Sequence, residues 1–247
     1  TERRPAMGIT IGITGHTKGF GKHIKEKCIQ GGYEVVGFSR TNGYDLLYLK
    51  PNIRQKKIFQ KKNKFKKQVP LIGNVARYDP KKDHINLLNA LSLLRYKKID
   101  FFCFLVGSKI NKNNIRLVSE IKRLKLSKYI KLLGQDDNIL QVMNGLDLYI
   151  QSSSYGEGFP NVVAEAMACG TPCVVTDVGD ASFIVGKTGW IVPPNNSNKL
   201  AKALEKAINE VTTKKINERR GKARSRIRKN FDLSKMLKSY NKSWYQV

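Results

Sequence analysis

Between residues 69 and 192 the chain alternates short apolar runs with stretches of helical periodicity, and this limits the folds open to it. The runs are VPLIGNVAR (Val69–Arg77), DFFCFLVGS (Asp100–Ser108), YIKLLGQ, LDLYIQSS, CVVTD and TGWIVPP. Each reads as a buried strand. Between the first two, YDPKKDHINLLNALSLLRY places Ile85, Leu88, Leu91 and Leu94 at helical spacing. These leucines read as core. Asn113–Leu126 and DDNILQVMNG supply further helices, and Asn195–Val211, Lys215–Asn230 and FDLSKMLKSYNKSWYQV close the chain. Strands separated by helices imply an α/β fold with a doubly wound parallel sheet.

The chain opens differently. GITIGIT, GHTKGFG, KHIKEKCIQ and YEVVGFSR read as strand, glycine-rich turn, helix and strand, a short Rossmann-like βαβ fragment over residues 1–46. Thr14-Gly15-x-x-x-Gly19-x-Gly21 resembles the cofactor loop of short-chain dehydrogenases, where glycines let the backbone approach a pyrophosphate. Arg40 after the second strand would favour a 2′-phosphate, hence NADP. The Asn-Asn-Ala-Gly element of that family does not appear, and a Tyr-x-x-x-Lys spacing occurs only at Tyr78 and Lys82, too early for that fold. An NADP-dependent oxidoreductase fragment is therefore the alternative reading. Asn42–Asn52 is a seam, read as a fusion or a sequence join, and a chain opening on Thr1 reads as a fragment or as one naturally starting at Met7.

Chemistry concentrates in Ser152–Asp177, SSSYGEGFPNVVAEAMACGTPCVVTD, which reads as loop, helix and buried strand. Glu157 falls in the loop and Glu165 in the helix, with seven residues between them. Pro160 suits the first helical position. The amides of Asn161, Val162 and Val163 then sit at the positive end of the helix dipole and suit a diphosphate. Glu165, more than a turn further in, is placed to accept hydrogen bonds from a ribose diol. A carboxylate pair for glycoside hydrolysis does not fit, because eight helical steps span ~12 Å, beyond the roughly 5–9.5 Å such pairs use.

EGFPNVVAEAMACGTPCVVTDVGD followed by TGWIVPP resembles the donor-binding half of family-4 (group 1) retaining glycosyltransferases of the GT-B fold, a resemblance covering roughly four-fifths of the chain. It implies that Glu157 contacts the donor sugar, Glu165 holds the ribose, and Gly158, Phe159, Pro160, Asn161 and Val162 bind sugar and phosphate. It further implies Arg77 and Lys82 as the cations gripping the diphosphate, and Gly73, Gly134 and Gln135 among the donor-binding residues. Without a metal, only cations and helix amides can neutralise a leaving nucleoside diphosphate. The resemblance implies metal-independent hexosyl transfer from a nucleoside-diphosphate sugar, with no cofactor, to a glycan or lipid-linked acceptor. Residues 69–247 would form the donor domain, and residues 47–68 a basic lead-in. The acceptor-binding first domain of such enzymes is replaced by the βαβ unit, so donor binding is expected and turnover by this chain alone is in question.

Charge sets the remaining expectations. The formal net charge is +27, and it points to an anionic membrane surface, nucleotide ligands or nucleic acid. Lys50–Gln68 carries many Lys and Arg and no acid. Ile53, Lys57 and Gln60 share one side of it, with Ile58 and Phe65 elsewhere. It reads as a solvated, partly helical lead-in with anionic lipid as a secondary partner, rather than a specific nucleic-acid arm; a polyanion-binding module is a further alternative. Cys28, Cys103, Cys169 and Cys173 lack disulfide or metal spacing, and His16, His23 and His84 form no cluster, so no metal site is expected. No apolar run reaches 18 residues and no signal peptide opens the sequence. The expected location is cytoplasmic, peripheral on the inner face of the membrane.

Overall fold

The computed structural model describes residues 10–14, 34–38, 46, 49–65 and 69–231, which fall into two compact units. The first contains β1 (Thr10–Thr14) and β2 (Glu34–Phe38), paired in parallel from Thr10 opposite Glu34 to Thr14 opposite Phe38. The parallel pairing matches the expected strands. The connection between them, with Gly15, Gly19 and Gly21, and also Arg40 and residues 232–247, lie outside the described residues.

The second unit, Lys50–Ile227, holds the six other strands. They are β3 (Leu71–Val75), β4 (Phe102–Val106), β5 (Ile130–Gly134), β6 (Leu148–Gln151), β7 (Cys173–Thr176) and β8 (Trp190–Val192). All pair in parallel in the order β5-β4-β3-β6-β7-β8. Helices α1 (Ile53–Lys62), α2 (His84–Tyr96), α3 (Ile115–Arg123), α4 (Ile139–Gly145), α5 (Asn161–Ala168), α6 (Ala181–Val185), α7 (Ser197–Val211) and α8 (Lys215–Asn230) complete it. Apolar runs such as Leu71–Val75 are buried at every position because helices cover both faces. Leu88, Leu91 and Leu94 are fully buried, as their spacing predicts. Strand order reverses between β3 and β6, which opens a crevice beyond their carboxyl ends.

Asparagine does much of the punctuation. Asn52, Asn114, Asn138 and Asn196 cap α1, α3, α4 and α7, each accepting a bond from an amide of the first turn. Such caps contribute ~1 kcal/mol each. Helix α5 has no side-chain cap, and Pro160, expected as its first helical residue, is instead its N-cap (φ −74°, ψ 89°). The extended backbone turns the chain into the helix, so Asn161 becomes its first residue.

The solvated reading of Lys50–Gln68 is corrected in its helical part, because α1 packs into the core of this unit through Phe59. Phe59 is 1% exposed and meets Phe104 edge-on at 4.9 Å. It presses so closely on Gly145 that a Cβ there would lie 2.3 Å from the ring. Lys56 and Arg220 both donate to Asp147 Oδ1, at 2.6 and 2.9 Å, while Asp147 Oδ2 accepts from the Leu71 amide at 3.0 Å.

Helix α8 spends its positive charge inward. Arg219 pairs with Glu210 and lies 4.2 Å over the Trp190 ring. Arg224 donates to the Ala168 carbonyl at the end of α5, and Arg226 to the Phe183 and Ile184 carbonyls of α6. These are the carbonyls that helix ends leave without intrahelical partners. Cys103, Cys169 and Cys173 are buried free thiols.

Candidate functional site

The loop leaving β3 is held by side-chain caps. Asp79 accepts from the Lys81 amide and opens a single 3-10 turn, Pro80–Lys82; Asp83, at φ 46°, then caps α2 through the Asn86 amide. Aspartate tolerates this left-handed backbone better than most residues. The turn is stitched to the loop leaving β6: Ser154 donates its amide to the Lys81 carbonyl at 2.8 Å, and Ser152 its hydroxyl to the Lys82 carbonyl at 2.8 Å. The two strands flanking the crevice therefore share one rim.

On that rim Lys82 Nζ meets Glu157 Oε1 at 2.5 Å, and Ser153 Oγ donates to the same oxygen at 2.5 Å. The Glu157 side chain is 8% exposed and that of Lys82 22%. Burial raises the Glu157 carboxyl, but the bonds from Lys82, Ser153 and Gln151 and the ammonium charge outweigh it and hold the group below its ordinary value. Ser153 is fixed in turn, because Thr176 Oγ1 donates to its carbonyl at 2.6 Å. Below the pair lie Asn74 and Gln151, each with a buried side-chain oxygen that meets no donor. His84, its ring tilted against Tyr78 with centroids 5.4 Å apart, is pushed down to about 4 by burial and the Lys82 charge, and is neutral.

The loop that carries Glu157 is clamped from behind. Gly179, at φ +57°, packs so closely on the Glu157–Gly158 backbone that a Cβ would lie 2.4 Å from the Glu157 carbonyl oxygen. The Gly158 carbonyl accepts from the Asp180 amide at 3.0 Å. Gly158 and Asn161 are exposed, Phe159 and Val162 half-buried and Pro160 buried around the uncapped start of α5. Glu165, one helical stretch on, is half-buried, and its carboxylate has no hydrogen bond or ion pair among the described residues. Burial pushes its carboxyl up to about 7. An ionisable oxygen pair without a protein donor suits a ligand that brings hydroxyls.

The other sequence-derived residues fall at different depths. Arg77 follows β3 at the same end of the sheet, but its Nε donates to Asp79 at 2.9 Å and its side chain is 57% exposed. Gly134 ends β5 at φ +72° with open space where a Cβ would stand, and Gln135 beside it is exposed. Gly73 lies deeper. It lies mid-strand in β3, where a Cβ would lie 2.7 Å from the Leu146 methyls, so its lack of a side chain serves packing. Among the described residues no three His, Cys, Asp or Glu converge as metal ligands.

A sequence profile described as Glycosyl transferases group 1 matches residues 55–230. The chain belongs to this family. Among relatives of these glycosyltransferases, the Campylobacter jejuni N-acetylgalactosamine-N,N'-diacetylbacillosaminyl-diphospho-undecaprenol 4-alpha-N-acetylgalactosaminyltransferase is 29% identical over 175 residues, covering 68% of this chain and 44% of its own. The Anabaena HepE protein, solved in complex with UDP, superposes with a TM-score of 0.70 at 25% identity, over 92% of this chain and 62% of HepE. The C-terminal domain of a group 1 glycosyl transferase from Francisella tularensis gives a TM-score of 0.62 at 20% identity, over 77% of this chain and 99% of that domain. This chain spans half or less of the length of curated relatives that it matches.

Sequence reasoning missed Ser153, Gln151, Thr176 and Gly179. One signal was present: Gln151 ends an apolar strand and Ser152 and Ser153 follow it, at the point where strand order reverses, and polar residues there face the crevice.

Proposed function

We propose that this chain is the donor-binding part of a glycosyltransferase that moves a hexosyl group from a nucleoside-diphosphate sugar, with retention of configuration and without a metal. One observation carries the reading. At the crevice between β3 and β6, a clamped carboxylate–ammonium pair, Glu157 and Lys82, shares its loop with an uncapped helix start and precedes the partnerless carboxylate of Glu165. A donor sugar nucleotide needs these three features in that order: hydrogen-bond acceptors for sugar hydroxyls, positive charge for the diphosphate and an acceptor for the ribose.

Glu157 orients the sugar through its hydroxyls. Lys82 and Arg77, with the amides of Asn161 and Val162, neutralise charge as the nucleoside diphosphate leaves. Arg77 exchanges its exposed contact with Asp79 for a phosphate oxygen. Glu165 accepts from the ribose, and the base packs at Gly134–Gln135 beyond β5. The acceptor is a glycan or lipid-linked glycan, the class named in the Campylobacter relative. Work on such an acceptor places the protein peripherally on a membrane. No helix among the described residues is long and apolar enough to cross one.

Calorimetric titration with UDP-glucose, GDP-mannose and NADPH, on wild type and Lys82→Gln, tests the reading. One sugar nucleotide binds, and the variant binds it about 10–100-fold more weakly, the worth of a charge-assisted contact. Equal binding by both proteins, or binding of NADPH alone, refutes it.

A further inference from the structure

The outer face of α1 has no role in the donor site, yet it is the most unusual surface of the unit. Ile53, Arg54, Lys57, Ile58 and Lys61 are all exposed. At 3.6 residues per turn they fall within ~140° of the helix circumference. Phe59, which anchors the helix in the core, points ~170° from the centre of that arc. Ile53 and Ile58 are 70% and 40% exposed. Arg54, Lys57 and Lys61 have no ion pair among the described residues, whereas Lys56 and Lys62, on other sides of the helix, are matched to Asp147 and Asp136. The helix contains no acid. One face thus combines unneutralised cations with two bare isoleucines, while acids neutralise two other sides.

We infer that this face of α1 docks on an anionic lipid bilayer. The cations answer lipid phosphates, and the isoleucines enter the headgroup–acyl boundary as the apolar part of an interfacial helix. Nucleic acid satisfies the cations equally but gives the isoleucines nothing to enter, so the pair of apolar residues decides between the two. The neighbouring basic surface of α7 is a natural control: Lys199, Lys202 and Lys206 are exposed at helical spacing, with no isoleucine, leucine or aromatic ring on that face. The inference concerns a surface separate from the donor cleft and stands whether or not the donor reading does.

The test is flotation of the full chain with vesicles of phosphatidylcholine mixed with phosphatidylglycerol, against pure phosphatidylcholine, at about 0.1 M salt, where the Debye length is ~10 Å. Wild type floats with the anionic vesicles only. The triple variant Arg54→Gln, Lys57→Gln, Lys61→Gln binds about a hundredfold more weakly, at roughly fivefold per cation. The charge-preserving Ile53→Ser, Ile58→Ser double variant binds about tenfold more weakly. The α7 triple Lys199→Gln, Lys202→Gln, Lys206→Gln, with the same loss of net charge, floats like wild type. Equal losses from the two triples would mean that bulk charge alone drives adsorption and would overturn the assignment. So would wild-type flotation of the isoleucine variant, which is the result expected of a general polyanion surface. UDP-glucose affinity is read on every variant, so failure of the donor site is seen separately.

Discussion

Replacing Glu165 with Gln sets stability against binding in opposite directions. Burial moves its carboxyl from 4.5 to about 7. The folded chain keeps a proton that the unfolded chain releases across that interval, so wild-type stability falls as pH rises from 4.5 to about 7 and then levels. At ~1.4 kcal/mol per decade the full penalty at pH 8 is about 3 kcal/mol. Water reaches the half-buried carboxyl and reduces the penalty to roughly 1.5–3 kcal/mol. Glu165→Gln never ionises, so it gains that amount at pH 8 and under ~1 kcal/mol at pH 5. For a chain of this size the gain is roughly 3–10 °C in melting temperature. The same variant weakens UDP-glucose binding about 10–150-fold at pH 8, where wild type offers ionised oxygens to the ribose, and less at pH 5. A sugar nucleotide is the correct probe, because the second proton of a free terminal phosphate leaves near pH 6 and would confuse the profile. Thermal unfolding and calorimetry at both pH values read the two effects. A variant no more stable at pH 8, or an affinity ratio indifferent to pH, would refute the argument that a desolvated carboxylate waits for the ribose.

Two further substitutions test the scaffold. Gly179→Ala forces a side chain into a left-handed backbone and 2.4 Å from the Glu157 carbonyl; about 2 kcal/mol of stability by urea unfolding and at least tenfold in UDP-glucose affinity should go together, and an unchanged affinity would show that Gly179 does not hold the donor loop. Phe59→Ala leaves a cavity between Phe104 and Gly145 and costs about 3–5 kcal/mol, whereas a loss below ~1 kcal/mol would place α1 outside the core.

Legibility tracked how strongly each residue's chemistry forces its placement. Runs such as FCFLV cannot be solvated, so the strands and their order along the chain were open to reading. Leu88, Leu91 and Leu94 marked α2 for the same reason, and the loop-helix-strand order around Glu157 and Glu165 followed from Pro160 and the apolar run after it. Phe59 was not legible. It is the sole buried residue of a helix in which Ile53 and Ile58 face outward, so counting apolar spacing chose the wrong side. Helix α6 is five residues long, too short for a periodic signal. Ser153 and Thr176 read only as the polar ends of buried strands, and only the fold shows that they are chained to Glu157.

The inward-facing arginines of α8 change what a count of charges means. A formal value of +27 invites the picture of a molecule wrapped in positive potential. In α8 the charge has an address: Arg219 and Arg220 answer carboxylates, and Arg224 and Arg226 answer the last carbonyls of two shorter helices. The field that begins on Arg219 ends a few ångströms away on Glu210, inside the protein. Recoding them to lysine to ease handling would keep the tally and lose the planar fork that grips a carboxylate or carbonyl. Neutralising Arg224 would unfasten the far end of α5, the helix whose other end opens on the crevice.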